Sequence, residues 1–153
     1  IDQGADIIMQ HTDSPAPVQV AEERGVWAFG QASDMHHFGK TAHLTAIIDD
    51  WAPYYIARVK AAMEGKWEKT DTWGGFDTGM VKLAPYNDAI PADVVAEAEA
   101  IRKGIIDGSV HPFAGPLVNQ KGETVVPEGS NADDGMLAGM NFYVQGIDGE
   151  VPQ

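Results

Sequence analysis

Short apolar runs alternate with amphipathic stretches along the first two thirds of the chain. Apolar runs with the length and composition of strands lie at residues 7–9, 26–29, 43–48 and 80–84. Residues 18–24 and 54–66 place apolar side chains at helical spacing, and Gly25 follows the first of these stretches, where helices commonly end. This order of strand, loop and helix predicts an α/β fold with an open sheet. We expect the first run, residues 7–9, to be a buried strand.

A long amphipathic helix is predicted over residues 91–107. Its apolar stripe consists of Val94, Val95, Ala98, Ile101 and Ile105. Beyond this helix the chain is rich in turn residues, and we predict a hairpin that joins residues 117–118 to 124–126. A final short helix is predicted over residues 133–144. Its apolar positions are Met136, Leu137, Met140 and either Phe142 or Tyr143.

Polar side chains follow the first two predicted strands at their carboxyl ends. His11, Thr12, Asp13 and Ser14 come after the first strand, and Gln31, Ser33 and Asp34 come after the second. In open α/β sheets, ligands bind beyond the carboxyl ends of the strands. Two such loops side by side form a cleft, so this sequence predicts a site for a small polar ligand there.

Aromatic residues divide between the core and this edge. Trp27 and Phe29 lie within a predicted strand, and large apolar side chains in strands are mostly buried. Trp51 follows the third strand, where its indole fits either a flat wall for a planar ligand or packing at a hinge. Trp73 and Phe76 lie among glycines that allow close backbone approach, which makes them a weaker candidate for stacking.

Composition narrows the class of protein. The 153 residues, with 44% hydrophobic content, are sufficient for one globular unit. The chain has 23 acidic and 10 basic residues and a net charge of -13, which argues against binding to nucleic acid or to an anionic membrane surface. It has no cysteine, so it forms neither a disulfide nor a thiolate metal site.

The sequence lacks the common catalytic and nucleotide-binding motifs. The nearest approach to a metal site is the group Asp34, His36, His37 and His43. Because this spacing matches no standard ligand pattern, we interpret the group as a solvated loop and expect neither a metal nor a cofactor. The adjacent carboxylates Asp49 and Asp50 are interpreted as a strand terminus and helix cap rather than an acid/base pair.

The first six residues are typical of the tail of a helix. They lead through Gly4 directly into a strand, and the rest of such a helix is not in the chain. We therefore expect this chain to be a fragment of a longer protein.

Several segments, in order along nearly the whole chain, resemble the basic membrane lipoprotein family. This family comprises substrate-binding proteins of ABC importers and includes purine nucleoside receptors. The segments are GADIIMQH at 4–11, AEERGVWAFG at 21–30, DWAPYY at 50–55, LAPYN at 83–87, HPFAGPL at 111–117 and MNFYVQG at 140–146.

The resemblance implies a type I periplasmic-binding-protein fold, in which two α/β lobes close on a ligand. This chain would supply the C-terminal part, mainly the C-terminal lobe with its open, mostly parallel sheet and flanking helices. Residues 1–50 and 80–153 would belong mainly to that lobe. Residues 51–79 would form a crossover helix and a return segment associated with the missing N-terminal lobe.

The same resemblance places the ligand along the two polar loops and the hinge. The residues expected to line the cleft are His11, Thr12, Asp13, Ser14, Gln31, Ser33, Asp34, Trp51, Phe76 and Asp77. The implied ligand is a planar purine base or nucleoside. The sequences HTDSP at 11–15 and QASD at 31–34 depart from the expected nucleoside-receptor loops, which leaves a free base such as adenine open.

The implied function is that of an extracytoplasmic binding component, without enzymatic activity, that delivers its ligand to an ABC transporter permease. The full-length precursor would be periplasmic or extracytoplasmic and anchored as a lipoprotein. Two alternatives remain. One is a small α/β hydrolase or sugar-modifying enzyme that uses His11, Asp13 and Asp34. The other is a ligand-sensing regulator with the same fold and a DNA-binding segment upstream.

Overall fold

The structure is a computed structural model of the chain and describes residues 1–149 and 151. Its internal contacts divide the chain into two compact units. The first unit is Ile1–Arg102, and the second begins at Lys103. This division differs from the lobe boundaries predicted at residues 50 and 80, which stay a prediction.

A four-stranded sheet forms the centre of the first unit. Its strands are β1 (Ile7–Ile8), β2 (Trp27–Gly30), β3 (His43–Asp49) and β4 (Val81–Leu83), and their order in space is the order along the chain. β1, β2 and β3 run parallel, whereas β4 runs antiparallel to β3. The predicted open, mostly parallel sheet is confirmed.

Three helices connect or follow these strands, and all three are at the predicted places. They are α1 (Ala16–Arg24), α2 (Ala52–Met63) and α3 (Ala92–Asp107). α1 ends at Gly25, whose φ of 67° lies in the left-handed region that glycine adopts at little cost. The boundaries of all three helices differ from the predicted ones by at most three residues, which is within the usual fraying of helix ends.

The most buried apolar cluster lies between α1 and one face of the sheet. It contains Val18, Ala21, Ala28, Met35 and Ala42. Most of these side chains are small, so α1 packs close to β2 and to the segment that precedes β3. Close packing of this kind makes the cluster sensitive to the loss of single methyl groups.

Trp27 and Phe29 point to the opposite face of the sheet. Side chains alternate between faces along a strand, and Ala28 and Gly30 already occupy the α1 side. The two aromatic rings line an apolar cavity of about 480 Å³ that Val94 of α3 also lines. They are only half-buried, so the prediction that they belong to the core is correct in part.

The first strand is less buried than predicted. Ile7 is 47% exposed, and Met9, which is 80% exposed, lies outside the strand. β1 pairs only with β2 within the described residues, so it is an edge strand of the sheet. An apolar run predicts a preference for burial but not whether a neighbouring element covers it.

The second unit contains the predicted hairpin and a shorter helix than expected. β5 (Leu117–Val118) and β6 (Thr124–Val126) are antiparallel, and α4 is Asp134–Gly139. The helix predicted over 133–144 ends early because Met140 is extended. The chain then pairs elsewhere, as Gln120 N donates to Tyr143 O at 3.0 Å and Gln145 N donates to Val118 O at 2.9 Å.

Val18 offers a test of the packing between α1 and the sheet. Val18 is fully buried, whereas Val20 on the same helix is exposed. Val18→Ala removes two methyl groups from a dense cluster and is expected to lower the free energy of unfolding of the complete protein by about 2 kcal/mol. Val20→Ala is the control and is expected to change it by less than about 0.5 kcal/mol. Denaturant titration measures both, and equal effects would contradict this packing.

Candidate ligand-binding site

Hydrogen bonds join the carboxyl ends of the three parallel strands at one edge of the sheet. Gln10 Nε2, just after β1, donates to Phe29 O of β2 at 3.2 Å. Asp49 N, at the end of β3, donates to Ala32 O at 3.0 Å. The two polar loops predicted from the sequence therefore lie along the same edge. Gln10 was not among the predicted site residues, because its amide acts through a contact with a residue 19 positions away.

The loop after β1 presents four exposed polar residues, His11 to Ser14. Two of them also make local contacts. Thr12 Oγ1 donates to Gln10 Oε1 at 2.8 Å, and Ser14 Oγ accepts from Ala16 N, the first residue of α1, at 3.2 Å. The imidazole of His11 and the carboxylate of Asp13 extend from this anchored loop as hydrogen-bonding groups exposed to solvent.

A tight turn shapes the loop after β2. Ala32 has φ of 59°, in the left-handed region that residues other than glycine adopt at a cost on the order of 1 kcal/mol. Ser33 N donates to Gln31 O at 2.7 Å across this turn. Strained backbone of this kind persists only where surrounding contacts hold it, here the bond from Asp49 N. Gln31 is half-buried and Ser33 is exposed.

Asp34 is held differently from the other predicted site residues. Its Oδ1 accepts from the backbone N of His36 at 3.0 Å and lies 3.9 Å from Nε2 of His43. Its side chain remains partly exposed. The carboxylate therefore lies between solvent and a histidine of the sheet, and it can accept further hydrogen bonds.

His43 is not part of a solvated loop, which corrects the interpretation of the histidine group. It begins β3, is only 2% exposed, and its Nε2 has no hydrogen-bond partner among the described residues. Burial lowers the pKa of His43, a nearby positive charge on His36 acts in the same direction, and the negative charge of Asp34 opposes both. His36 and His37 are exposed as predicted.

Gly30 at the end of β2 makes room for this imidazole. A Cβ at position 30 would lie 2.8 Å from His43 Nε2 and 2.8 Å from Ala46 Cβ. Any larger residue at position 30 would displace the ring. Beside it is a cavity of about 340 Å³ lined by Asp34, His36, Lys40, His43, Pro85, Tyr86, Asn87 and Asp88.

In the part of the chain that the structure describes, no three His, Asp or Glu residues come together as a metal site.

The predicted hinge region begins with Asp50 and Trp51. Asp50 Oδ1 accepts from Ala52 N, the first residue of α2, at 3.2 Å, and the same carboxylate pairs with Lys82 of β4. The N-cap of α2 is Trp51 and makes no side-chain capping bond, so the interpretation of Asp49 and Asp50 as a helix cap is wrong. Lys82 lowers the pKa of Asp50. The Trp51 indole is half-exposed and stacks on Tyr55, with ring centroids 5.9 Å apart. The indole packs on α2 and also keeps an exposed surface. Both predicted roles of Trp51, a flat wall for a planar ligand and packing at a hinge, therefore stay predictions.

The predicted return segment ends beside Asp50. Asp50 N donates to Met80 O at 2.7 Å, and Val81 N donates to Gly75 O at 3.2 Å. The half-buried ring of Phe76 lines a cavity of about 550 Å³ next to β4, and Asp77 is exposed. The structure thus brings the two polar loops to one edge. Residues 76–77 are linked to that edge by the backbone hydrogen bonds of their neighbours Gly75 and Met80.

Comparison with known proteins identifies a family whose model matches this sequence. The family model for the PnrA-like substrate-binding protein of ABC transporters, named Bmp, matches residues 1–111. The chain belongs to this family. The resemblance to the basic membrane lipoprotein family is confirmed.

Two relatives align with essentially the whole chain. A purine-binding protein of Brucella abortus is 50% identical over 153 residues, which cover 100% of this chain and 43% of the relative. A protein of Haloferax volcanii, named as an ABC transporter glucose-binding protein, is 32% identical over 99% of this chain and 36% of its own length. The chain thus spans less than half the length of either Bmp relative.

Two solved structures share the fold. A transcriptional activator of the comK gene from Bacillus halodurans superposes with a TM-score of 0.65 at 21% identity, over 73% of this chain and 40% of that one. An ABC transporter solute-binding protein from Conexibacter woesei superposes with a TM-score of 0.53 at 20% identity, over 72% and 38%. The predicted periplasmic-binding-protein fold of the Bmp chain is confirmed.

The lowered pKa of His43 predicts a pH dependence of stability. The unfolded chain binds this proton more readily than the folded one, so the contribution of neutral His43 is complete above pH 6.5, the ordinary histidine pKa, and is lost as pH falls through the lower folded value. Denaturant titration between about pH 7.5 and 5.5 should show stability falling less steeply in His43→Gln than in wild type. The control His37→Gln, at an exposed position, should match wild type, and a wild-type slope in both variants would refute the burial effect.

Proposed function

We propose that the complete protein is the extracytoplasmic binding component of an ABC importer and captures a purine base or nucleoside between two closing lobes. The observation that carries this proposal is the row of polar groups along one edge of the sheet, with the partly free indole of Trp51 following β3. Family membership and the 50% identity to a purine-binding protein support it.

The edge has the chemistry that a planar nitrogenous ligand requires. Trp51 or Phe76 would lie against the face of the ring, where an aromatic side chain gains from stacking. Asp13 or Asp34 would accept hydrogen bonds from N–H groups on its rim, and charge-assisted bonds of this kind are strong in a cleft with little water. The other proposed contacts are His11, Thr12, Ser14, Gln31, Ser33 and Asp77.

An exposed apolar face on α2 supports the two-lobed arrangement. Ile56 is 68% exposed and Met63 is 84% exposed, and Tyr55 and Val59 lie on the same face. Exposed apolar patches of this kind mark surfaces that another part of a protein covers. We infer that the N-terminal lobe of the complete protein covers this face, while residues 64–79 lead the chain back.

The remaining partners follow from the family. An ABC transporter permease would receive the ligand, and a lipid anchor in the precursor would hold the protein at the membrane. None of the helices in the described residues has the length and apolarity of a bilayer crossing. The enzyme that would use His11, Asp13 and Asp34 is not favoured, because the family comprises substrate-binding proteins.

Calorimetric titration of the complete protein tests the ligand. Adenine, adenosine or guanosine is expected to bind, and the Asp13→Ala, Asp34→Ala double variant should lose affinity by about tenfold to a hundredfold, since two charged acceptors are removed. Asp93→Ala, at an exposed position in the first turn of α3, is the matched control and should bind as wild type does.

Glucose and ribose belong in the same titration because one relative is named as glucose-binding. Binding of either sugar without any purine would replace the proposed ligand. Unchanged purine affinity in the double variant would remove Asp13 and Asp34 from the site.

The α2 face predicts how the 153-residue chain behaves alone. We expect it to self-associate or to bind a hydrophobic dye, because the apolar face has lost its cover. The Ile56→Gln, Val59→Gln double variant should show weaker dye fluorescence and less association by analytical ultracentrifugation. Ala57→Gln, at an exposed position outside this face, should not change either measurement. A monomer without dye binding would contradict the two-lobed arrangement.

A further inference from the structure

The contact between Asp34 and His43 has no role in the proposed ligand site. His43 Nε2 is buried and unpartnered among the described residues, and Asp34 Oδ1 lies 3.9 Å away. We propose that His43 is a positioning residue for Asp34: when the imidazole gains a proton, it binds that carboxylate and withdraws it from the ligand. This inference rests on the proposed function, because that function assigns Asp34 to the ligand.

With His43 neutral, the Asp34 carboxylate accepts one hydrogen bond among the described residues. Asp34 Oδ1 accepts from His36 N at 3.0 Å, and the separation from Nε2 is about one ångström longer than a charge-assisted hydrogen bond. The side chain of Asp34 is 44% exposed. Its negative charge is therefore available to a ligand at the edge of the sheet.

Protonation of His43 favours a contact with Asp34, because a buried charge without a partner is costly. Asp34 supplies the carboxylate within 4 Å of Nε2. The cavity of about 340 Å³ beside the two side chains provides space for the carboxylate to move inward. Once it pairs with the imidazolium, its charge is offset, and the carboxylate becomes a weaker acceptor for hydrogen bonds from a ligand.

The other titratable groups around His43 do not replace Asp34. On the same connection between β2 and β3, a positive charge on His36 opposes the protonation of His43, and the basic side chain of Lys40 lines the same cavity. Glu22 of α1 accepts from the backbone N–H groups of Thr41 and Ala42, at 2.9 and 2.6 Å. After β4, Tyr86 donates to Glu99, and Asp88 is exposed at the mouth of the cavity.

Two measurements on the complete protein test the proposal. The first is calorimetric titration with adenine at about pH 7.5 and about pH 5.5, on either side of the ordinary histidine pKa. Acidification should weaken binding measurably in wild type and in the control His37→Gln, but not in His43→Gln. The loss in wild type should stay below about tenfold, because the lowered pKa of His43 leaves part of the protein neutral at about pH 5.5. The second is the pKa of His43 by NMR, which Asp34→Asn should lower by about one unit because it removes the favourable charge.

The second measurement does not depend on the ligand. If none of adenine, adenosine and guanosine binds wild type at either pH, the purine proposal fails, while the NMR comparison still decides whether Asp34 and His43 are coupled. If His43→Gln does not fold, the same NMR comparison of wild type with Asp34→Asn still tests the coupling. An unchanged pKa of His43 in Asp34→Asn overturns the proposal, as does equal pH dependence of binding in wild type and His43→Gln.

Discussion

The parallel pairing of β2 with β1 on one side and β3 on the other is the constraint on which the site depends. Parallel neighbours force the chain to return to the same end of the sheet before each new strand. The carboxyl ends therefore lie at one edge, and whatever follows each strand lies there as well. Gln10 and Ala32 reinforce this arrangement by linking neighbouring strand ends.

The same pairing explains the division of the two faces. Ala28 and Gly30 point toward α1, where small side chains permit the helix and His43 to pack closely. Trp27 and Phe29 then point toward the face that α3 partly covers. The small residues make a dense core on one side, and the large ones leave a cavity on the other.

Most of the elements could be predicted from the sequence, and so could the position of the two polar loops at one edge of the sheet. Periodicity identifies strands and helices because it depends only on which side chains prefer burial. It does not show what covers them, so it missed the exposure of Ile7 and the open face of α2. The environment of His43 was also missed, since a space left by Gly30 becomes visible only once β2 and β3 are adjacent. The early end of α4 has a similar origin, because pairing of residues 143–145 with distant residues overrides helix propensity.

The turn at Ala32 fixes the shape of this edge of the sheet without fixing which side chains the edge presents. Its form is maintained by backbone torsion and by an amide of β3, so it does not require particular side chains at positions 31 and 33. Those side chains are free to change while the frame stays constant. Substitutions at positions 31 and 33 can therefore change the chemistry of this edge without changing its shape, and two relatives of the chain are named for ligands as different as a purine and glucose.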